Sequence, residues 1–231
     1  MVFYRSESED SLVDTSIADV MIQVLRDATK HMQRPASASI VAVHGRDPFL
    51  ILIGCILSLR TKDTVSLLAS LRLFQQATTP RSILDLEQEI LAKIIYPVGF
   101  YRRKSQQIHA ICTMLFDRFN GQVPSNLDDL LSLPGVGRKT ANLVLAEGFG
   151  IPAICVDTHV HRISNRLGII ATKTPEQTER ALKRVLPQQY WIEYNHLMVM
   201  WGQNICVPVS PKCSQCAIYT LCKRVGVIRH R

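Results

Sequence analysis

The stretch PSNLDDLLSLPGVGRKTANLVLAEGF, residues 124–149, decides the reading. Ser125 is placed to cap a short helix, Asn126 to Leu133, with Asp128 at the capping-box position. Leu133–Pro134–Gly135–Val136–Gly137 stops that helix and turns the chain. A second helix then runs to Glu147 and closes at Gly148. Two glycines with one residue between them permit a tight turn and leave the amide N–H groups without side-chain cover. Those amides, with the positive end of the following helix, suit an anion such as a DNA phosphate. The contact positions a backbone and reads no bases. A Gly-x-Gly also serves as an ordinary helix–helix connection. The basic pair Arg138–Lys139 directly after it shifts the weight toward the anion.

Outward from this hairpin the pattern is helical on both sides. Apolar residues at Ile17, Val20, Met21, Val24 and Leu25 predict a helix over Ile17 to Met32. Asp47–Pro48 opens a strongly apolar helix through Leu57, and Asp63 to Leu73 reads as another. Thr78–Thr79–Pro80 is a break, after which Ser82 to Ile95 keeps the helical period. Arg103 to Phe119 is a long helix ended by Asn120–Gly121. No pair of strands joined by a hairpin signal, no solenoid repeat and no low-complexity tract is visible. The predicted fold class is all-α.

The chain has 231 residues, 47% of them hydrophobic, and a net charge of +8. That balance favours a polyanionic partner, nucleic acid before an acidic membrane surface. The longest apolar run, Phe49 to Leu57, is far short of the roughly 20 residues a membrane span needs. Met1 to Asp14 is polar, carries Glu7, Glu9, Asp10 and Asp14, and has no apolar signal core. The expected location is cytoplasmic, at the nucleoid. Seven cysteines are present. An odd count in a reducing compartment argues against a disulfide scaffold. Cys55, Cys112 and Cys155 sit alone among apolar residues and read as small buried hydrophobes.

Lys139 lies in the first turn of the second hairpin helix, where the helix dipole disfavours an ammonium. With Arg138 beside it and partial burial, its pKa is expected to fall toward the range of a nucleophilic lysine. A phosphate-binding lysine would sit equally well there. Asp157, in Val156–Asp157–Thr158–His159, precedes the amphipathic segment Val160 to Leu167 and is first of all a good N-cap. A capping carboxylate is held rigidly and is still able to face a cleft. His159 and His161 are expected on different helix faces, as surface or packing residues rather than metal ligands. The spacing Cys206-x6-Cys213-x2-Cys216-x5-Cys222 gathers four thiolates able to hold zinc or a cubane cluster. Having one Cys-x-x-Cys knuckle and wide flanking gaps, it favours the multi-iron object and leaves zinc open. Lys212, Lys223 and Arg224 flank this loop and suit DNA phosphates.

The run Leu133 to Asn142, the run Val156 to His159 and the four-cysteine spacing, in this order, closely resemble the endonuclease III family of helix–hairpin–helix DNA glycosylases. The resemblance spans roughly residues 20 to 225. It implies a bilobal helical fold: a six-helix barrel domain over residues 41–151 carrying the hairpin at 126–147, and a second domain over 152–231 with a [4Fe–4S] loop at 206–222. Residues 1–40 would supply an extension and a helix that joins the second domain. Lys139 then matches the family's Schiff-base lysine, Asp157 its catalytic aspartate, and Cys206, Cys213, Cys216 and Cys222 its cluster ligands. Gly135, Val136, Gly137 and Arg138 would hold the DNA backbone. Arg60 falls where the family fills the hole left by a flipped nucleotide, and Phe100 where it has a wedge. Many bacterial members have glutamine and leucine at these two places. Trp201–Gly202–Gln203 also departs from the usual His-Gly-Arg before the first ligand.

The resemblance implies a bifunctional glycosylase and abasic-site lyase. It would act as a monomer on duplex DNA holding damaged pyrimidines or abasic sites. Two alternatives stay open at this point. One is a monofunctional mismatch thymine or uracil glycosylase. The other is a non-catalytic iron–sulfur DNA-binding module that uses Lys139 only for phosphate.

Overall fold

The computed structural model describes residues 15–231. The acidic residues Glu7, Glu9, Asp10 and Asp14, and most of the extension at 1–18, lie outside the described residues. Among the described residues the regular structure is entirely helical. No helix is long and apolar enough to cross a membrane.

The first helices are α1 (Thr15–Thr29), α2 (Ala36–His44), α3 (Pro48–Ser58) and α4 (Asp63–Phe74). The apolar α3 explains the arrangement around it. All nine residues from Phe49 to Leu57 are buried, and a helix hydrophobic on every side needs cover on every side. α2, α4, α7 (Tyr101–Phe119) and α9 (Arg138–Leu143) pack around it. Asp47 starts α3 by accepting the amides of Phe49 (2.8 Å) and Leu50 (3.0 Å), with Pro48 at the first helical position.

Several expectations are corrected. The predicted helix Ser82 to Ile95 is two, α5 (Pro80–Leu84) and α6 (Gln88–Ile95), because Asp85 to Glu87 leave the helical path. The cap of α8 (Leu127–Ser132) is Asn126, whose amide oxygen accepts from the Asp129 backbone at 2.9 Å; Ser125 is not the cap. α1 buries Ala18, Met21, Ile22 and Leu25 while Ile17 and Val20 are exposed, so its apolar stripe is rotated from the expected one. α9 widens after Leu143 into one π-helical turn, Val144–Gly148.

The remaining helices are α10 (Thr158–Leu167), α11 (Pro175–Val185) and α12 (Trp191–Asn204). The apolar residues form two clusters. One gathers around α3 and runs from Ile40 to Cys155. The other joins Met21, Ile22 and Leu25 of α1 to residues between Ile154 and Ile218. α1 packs on α12, and the Arg26–Glu193 ion pair at 2.5 Å ties the two at the surface. The cleft between the clusters is where the functional side chains meet.

Candidate active site and cysteine cluster

The hairpin turn needs Gly135. Its φ is +68°, and a Cβ there would meet the side-chain amide of Gln107 at 2.3 Å. Gln107 in turn donates to the Pro134 carbonyl at 2.9 Å and braces the turn from α7. Gly137 is different. Its φ is −94°, open to any residue, and a Cβ would stand in open space. Its value lies in leaving the amides at the start of α9 bare. Val136 is buried and anchors the turn.

Arg138 does not point at the cleft. Its Nε and Nη2 donate to Glu179 at 2.6 and 3.1 Å, which joins the hairpin to α11. Asn142 (2.9 Å) and Lys183 (2.8 Å) complete the shell of this buried carboxylate. Arg138 and Lys183 hold Glu179 below the usual carboxylate range although burial works against the charge.

Lys139 and Asp157 line one cleft of about 530 Å³ with Ser37, Cys55, Ser58, Asp63, His159 and Asn195 among its walls. Asp157 caps α10 with one oxygen, Oδ1, which accepts from His159 (2.9 Å) and Val160 (2.8 Å). Its other oxygen takes no hydrogen bond among the described residues and is left for the cleft. Capping therefore occupies one oxygen of this carboxylate and leaves the other open to the cleft.

The expected fall in the Lys139 pKa is corrected. Burial does oppose its charge, but the surrounding Cys155, Asp157, Cys55 and Asp63 outweigh it, and the pKa is raised above 10.5. The expectation counted Arg138 as a neighbouring cation, and Glu179 neutralises that charge. Asp157 and Asp63 carry the physical weight here, because burial drives the Cys55 thiol up to about 12 and Cys155 well above its ordinary value. His159 and His161 both line the cleft, but they face different neighbours as expected, His159 against Gly202 of α12 and His161 against Thr178 of α11. His161 is held by Thr178 at 2.7 Å and His159 by Arg162 at 3.0 Å.

Arg60 and Phe100 lie outside the lining of that cleft, on two turns that meet where Gly99 faces the Arg60 carbonyl. Both are exposed and left-handed, with φ of 53° and 58°. Sequence reasoning missed Gln107, Glu179 and Ser37, and also a buried pair in which Glu147 meets His196 at 2.5 Å. Only tertiary packing brings these together, so no local pattern marks them.

Cys206, Cys213, Cys216 and Cys222 are free thiols lining one cavity with Arg166, Lys212 and Arg224. Arg166 donates to the Cys206 sulfur at 3.4 Å, and the Arg224 amide to the Cys222 sulfur at 3.4 Å. Burial raises the Cys216 thiol, while the Ile218 backbone and the Trp201 side chain favour its ionised form. The buried Trp201 indole N–H has no hydrogen-bond acceptor among the described residues, so it is a spare donor beside that sulfur. Among the described residues no three His, Cys, Asp or Glu groups converge closely enough to hold a metal ion.

Residues 53–188 match the HhH-GPD superfamily of base excision DNA repair proteins. The chain belongs to this superfamily. It is 48% identical to Endonuclease III of Thermotoga maritima over 77% of its own length and 83% of that protein. A trapped Endonuclease III–DNA covalent intermediate superposes with a TM-score of 0.74 at 35% identity, covering 90% of this chain and 96% of that one. A thermostable thymine-DNA glycosylase superposes with a TM-score of 0.78 at 25% identity, covering 90% and 96%. As a member of the superfamily the chain is a DNA glycosylase/lyase of base excision repair, and its partner is DNA.

Proposed function

We propose that this HhH-GPD protein, acting as a monomer on the duplex DNA of the nucleoid, removes oxidised pyrimidines and then nicks the strand, with Lys139 as nucleophile. The observation that carries the reading is the shared cleft of Lys139 and Asp157. A relative trapped as a covalent DNA intermediate at 35% identity supports it, because a covalent intermediate needs a nucleophile and Lys139 is the lysine of this cleft. A monofunctional thymine glycosylase of the same fold would have no use for a lysine here.

In this reading the domains are residues 41–151, which carry the hairpin at 126–147, and 152–231 joined by α1; the two apolar clusters support that division. Gly135, Val136 and Gly137 hold a phosphate, and Arg60 and Phe100 fill the stack once a nucleotide leaves it. Extrusion costs a few kcal/mol, less for a damaged base. The Lys139 ammonium first gives up its proton. Its amine then bonds to C1′ as the C1′–base bond breaks, and the base leaves with the bonding pair and takes up a proton. The free oxygen of Asp157 stabilises positive charge on the sugar as that bond weakens. The nitrogen then passes one of its two protons to the ring oxygen as the C1′–O4′ bond breaks, which opens the sugar and leaves a protonated imine at C1′. Loss of the acidified C2′ proton then expels the 3′ phosphate.

Cys206, Cys213, Cys216 and Cys222 would hold the [4Fe–4S] cluster. Four free thiols around one cavity, flanking guanidinium groups and the spare Trp201 N–H fit a large anionic group. A cubane also spaces its sulfurs more widely than a single ion with Zn–S bonds of about 2.3 Å. When bound, the cluster supplies a cross-link between distant points of the loop and redox-active iron. Lys212 and Lys223 would carry the loop onto DNA phosphates.

Borohydride trapping tests the proposal. The protein is expected to give a covalent complex with thymine glycol duplex. Lys139→Ala should lose the complex while still retarding the duplex on a gel. Nicking by Lys139→Ala would end the assignment.

A further inference from the structure

Lys104 lies in the first turn of α7 and is 5% exposed. No carboxylate pairs with it among the described residues. Its three N–H groups are all spent on one short segment. They donate to the Leu57 carbonyl at 2.9 Å, the Leu59 carbonyl at 2.5 Å and Thr61 Oγ1 at 3.1 Å. The two carbonyls are end groups of α3, which lack helical partners and favour a cation. The segment they belong to carries Arg60.

Thr61 Oγ1 is shared. It also accepts from the Gly99 amide at 3.2 Å. Gly99 itself has to be glycine, since a Cβ would press on the Arg60 carbonyl at 2.8 Å. Phe100 follows at once, 62% exposed, and its carbonyl accepts from the Lys104 amide at 2.9 Å. One lysine thus touches both turns from beneath. Each of these turns carries an exposed left-handed residue, Arg60 in one and Phe100 in the other. Left-handed backbone at non-glycine residues persists only where the surroundings enforce it. Burial works against this ammonium and brings its pKa to about 8, so an apolar side chain of the same length would be the cheaper filling.

We propose that Lys104 is a positioning residue for base extrusion: its ammonium locks the Arg60 turn to the Phe100 turn, so that both enter the duplex as one rigid unit. This rests on the reading of Arg60 and Phe100 as duplex-facing residues. A rigid wedge keeps the cost of opening the stack from being raised by loop ordering. A loosened wedge leaves the chemistry at Lys139 intact and slows only what requires extrusion.

The test compares two substrates on the cluster-bearing full chain. One is a duplex with a paired thymine glycol. The other is a single strand with an abasic site, where nothing has to be extruded. Lys104→Met is expected to slow single-turnover excision from the duplex by about 10- to 100-fold, the scale set by small misplacement. Single-strand cleavage should stay within about threefold. Thr61→Val, which removes the shared acceptor, should act in the same direction, and Lys104→Arg should recover part of the loss. 2-Aminopurine beside the lesion should report slower unstacking in the Met and Val variants. Equal slowing of both substrates, or of neither, would overturn the proposal. If Lys104→Met does not fold, Thr61→Val and Lys104→Arg decide by the same ratio. The double variant Arg60→Ala/Phe100→Ala separates the two layers. If it excises from the duplex normally, the duplex-facing reading falls and takes this inference with it. If it is slow while Lys104→Met is normal, this inference alone falls.

Discussion

Arg138 and Glu179 are joined by two hydrogen bonds, at 2.6 and 3.1 Å, and this pair fastens the hairpin turn to α11. Glu179 is buried and also serves Asn142 and Lys183. Glu179→Gln removes the charge that balances two cations and loosens the hairpin. Breaking a fully buried pair costs about 3–5 kcal/mol. Arg138 and Lys183 both reach water, so about 2 kcal/mol is expected. Urea unfolding midpoints measure it. The pKa of Glu179 is lowered, so its contribution is present above the unfolded value, near 4.5, and is lost as pH falls through the folded value. The difference between wild type and Glu179→Gln should therefore shrink below about pH 4. A gap that persists in acid would point to lost packing instead.

The two hairpin glycines should separate stability from binding. Gly135→Ala places a Cβ in left-handed backbone and against Gln107. It should cost about 1–3 kcal/mol. Gly137→Ala meets nothing and should leave the melting temperature nearly unchanged. Its methyl would nevertheless stand before the exposed amides and should weaken duplex binding by about tenfold, the worth of one charge-assisted hydrogen bond. Melting curves and gel retardation of both variants check this. Equal effects on both readouts would refute the division of labour.

Local signals were legible where one residue decides one local bond. Asp47–Pro48 starts α3 and Asp157 starts α10 as their sequence context predicts. Ser125 and Asn126 are adjacent residues with equal capping chemistry, and only the bond to the Asp129 amide chooses between them. α2 carries no clear polar face, so periodicity does not announce it. The hairpin, Lys139 and Asp157 could be named, but not the direction of the lysine's titration. That depends on Asp157 and Asp63 converging on Lys139 from distant parts of the chain. Lys104 reads as a surface lysine of a long helix, and its burial is decided by where α3 ends.

The pH dependence follows from the raised Lys139 pKa. Below that value the free protein holds an ammonium, and each unit of pH toward it raises the neutral amine about tenfold. Excision at limiting substrate should therefore climb between about pH 6 and 9. Asp157→Asn removes a carboxylate that raises the pKa, so the climb should shift to lower pH. Base removal should fall by about 10²–10³, because the developing sugar cation loses its counter-charge. Cleavage of a preformed abasic site should fall much less. Single-turnover profiles on both substrates measure this. A flat wild-type profile would mean that the amine reaches the sugar already neutral.

On the proposed cluster assignment, removing the iron should unfold one part of the molecule before the other. The Cys206–Cys222 segment contains only short 3-10 turns, Cys213–Gln215 and Tyr219–Leu221. Its fixed points are Arg166, which donates to the Val207 carbonyl at 2.8 Å and to Pro208 at 2.6 Å, and the Leu167 carbonyl, which accepts from Lys223 at 3.2 Å. Cluster binding would add its free energy to the folding of this segment and of the α1, α10 and α12 packing beneath it. The cluster around α3 shares few of those contacts. Chelation under oxidising conditions should bleach the visible absorbance and lower the first melting transition by more than about 10 °C, at about 2–4 °C for each kcal/mol lost. A second transition should remain near its original temperature. Cys213→Ser should behave like the chelated protein. Trp201→Phe should keep the iron but shift its reduction potential downward, since a donor beside the Cys216 sulfur is lost. A single unshifted transition after complete bleaching would show that the four cysteines build no part of the fold.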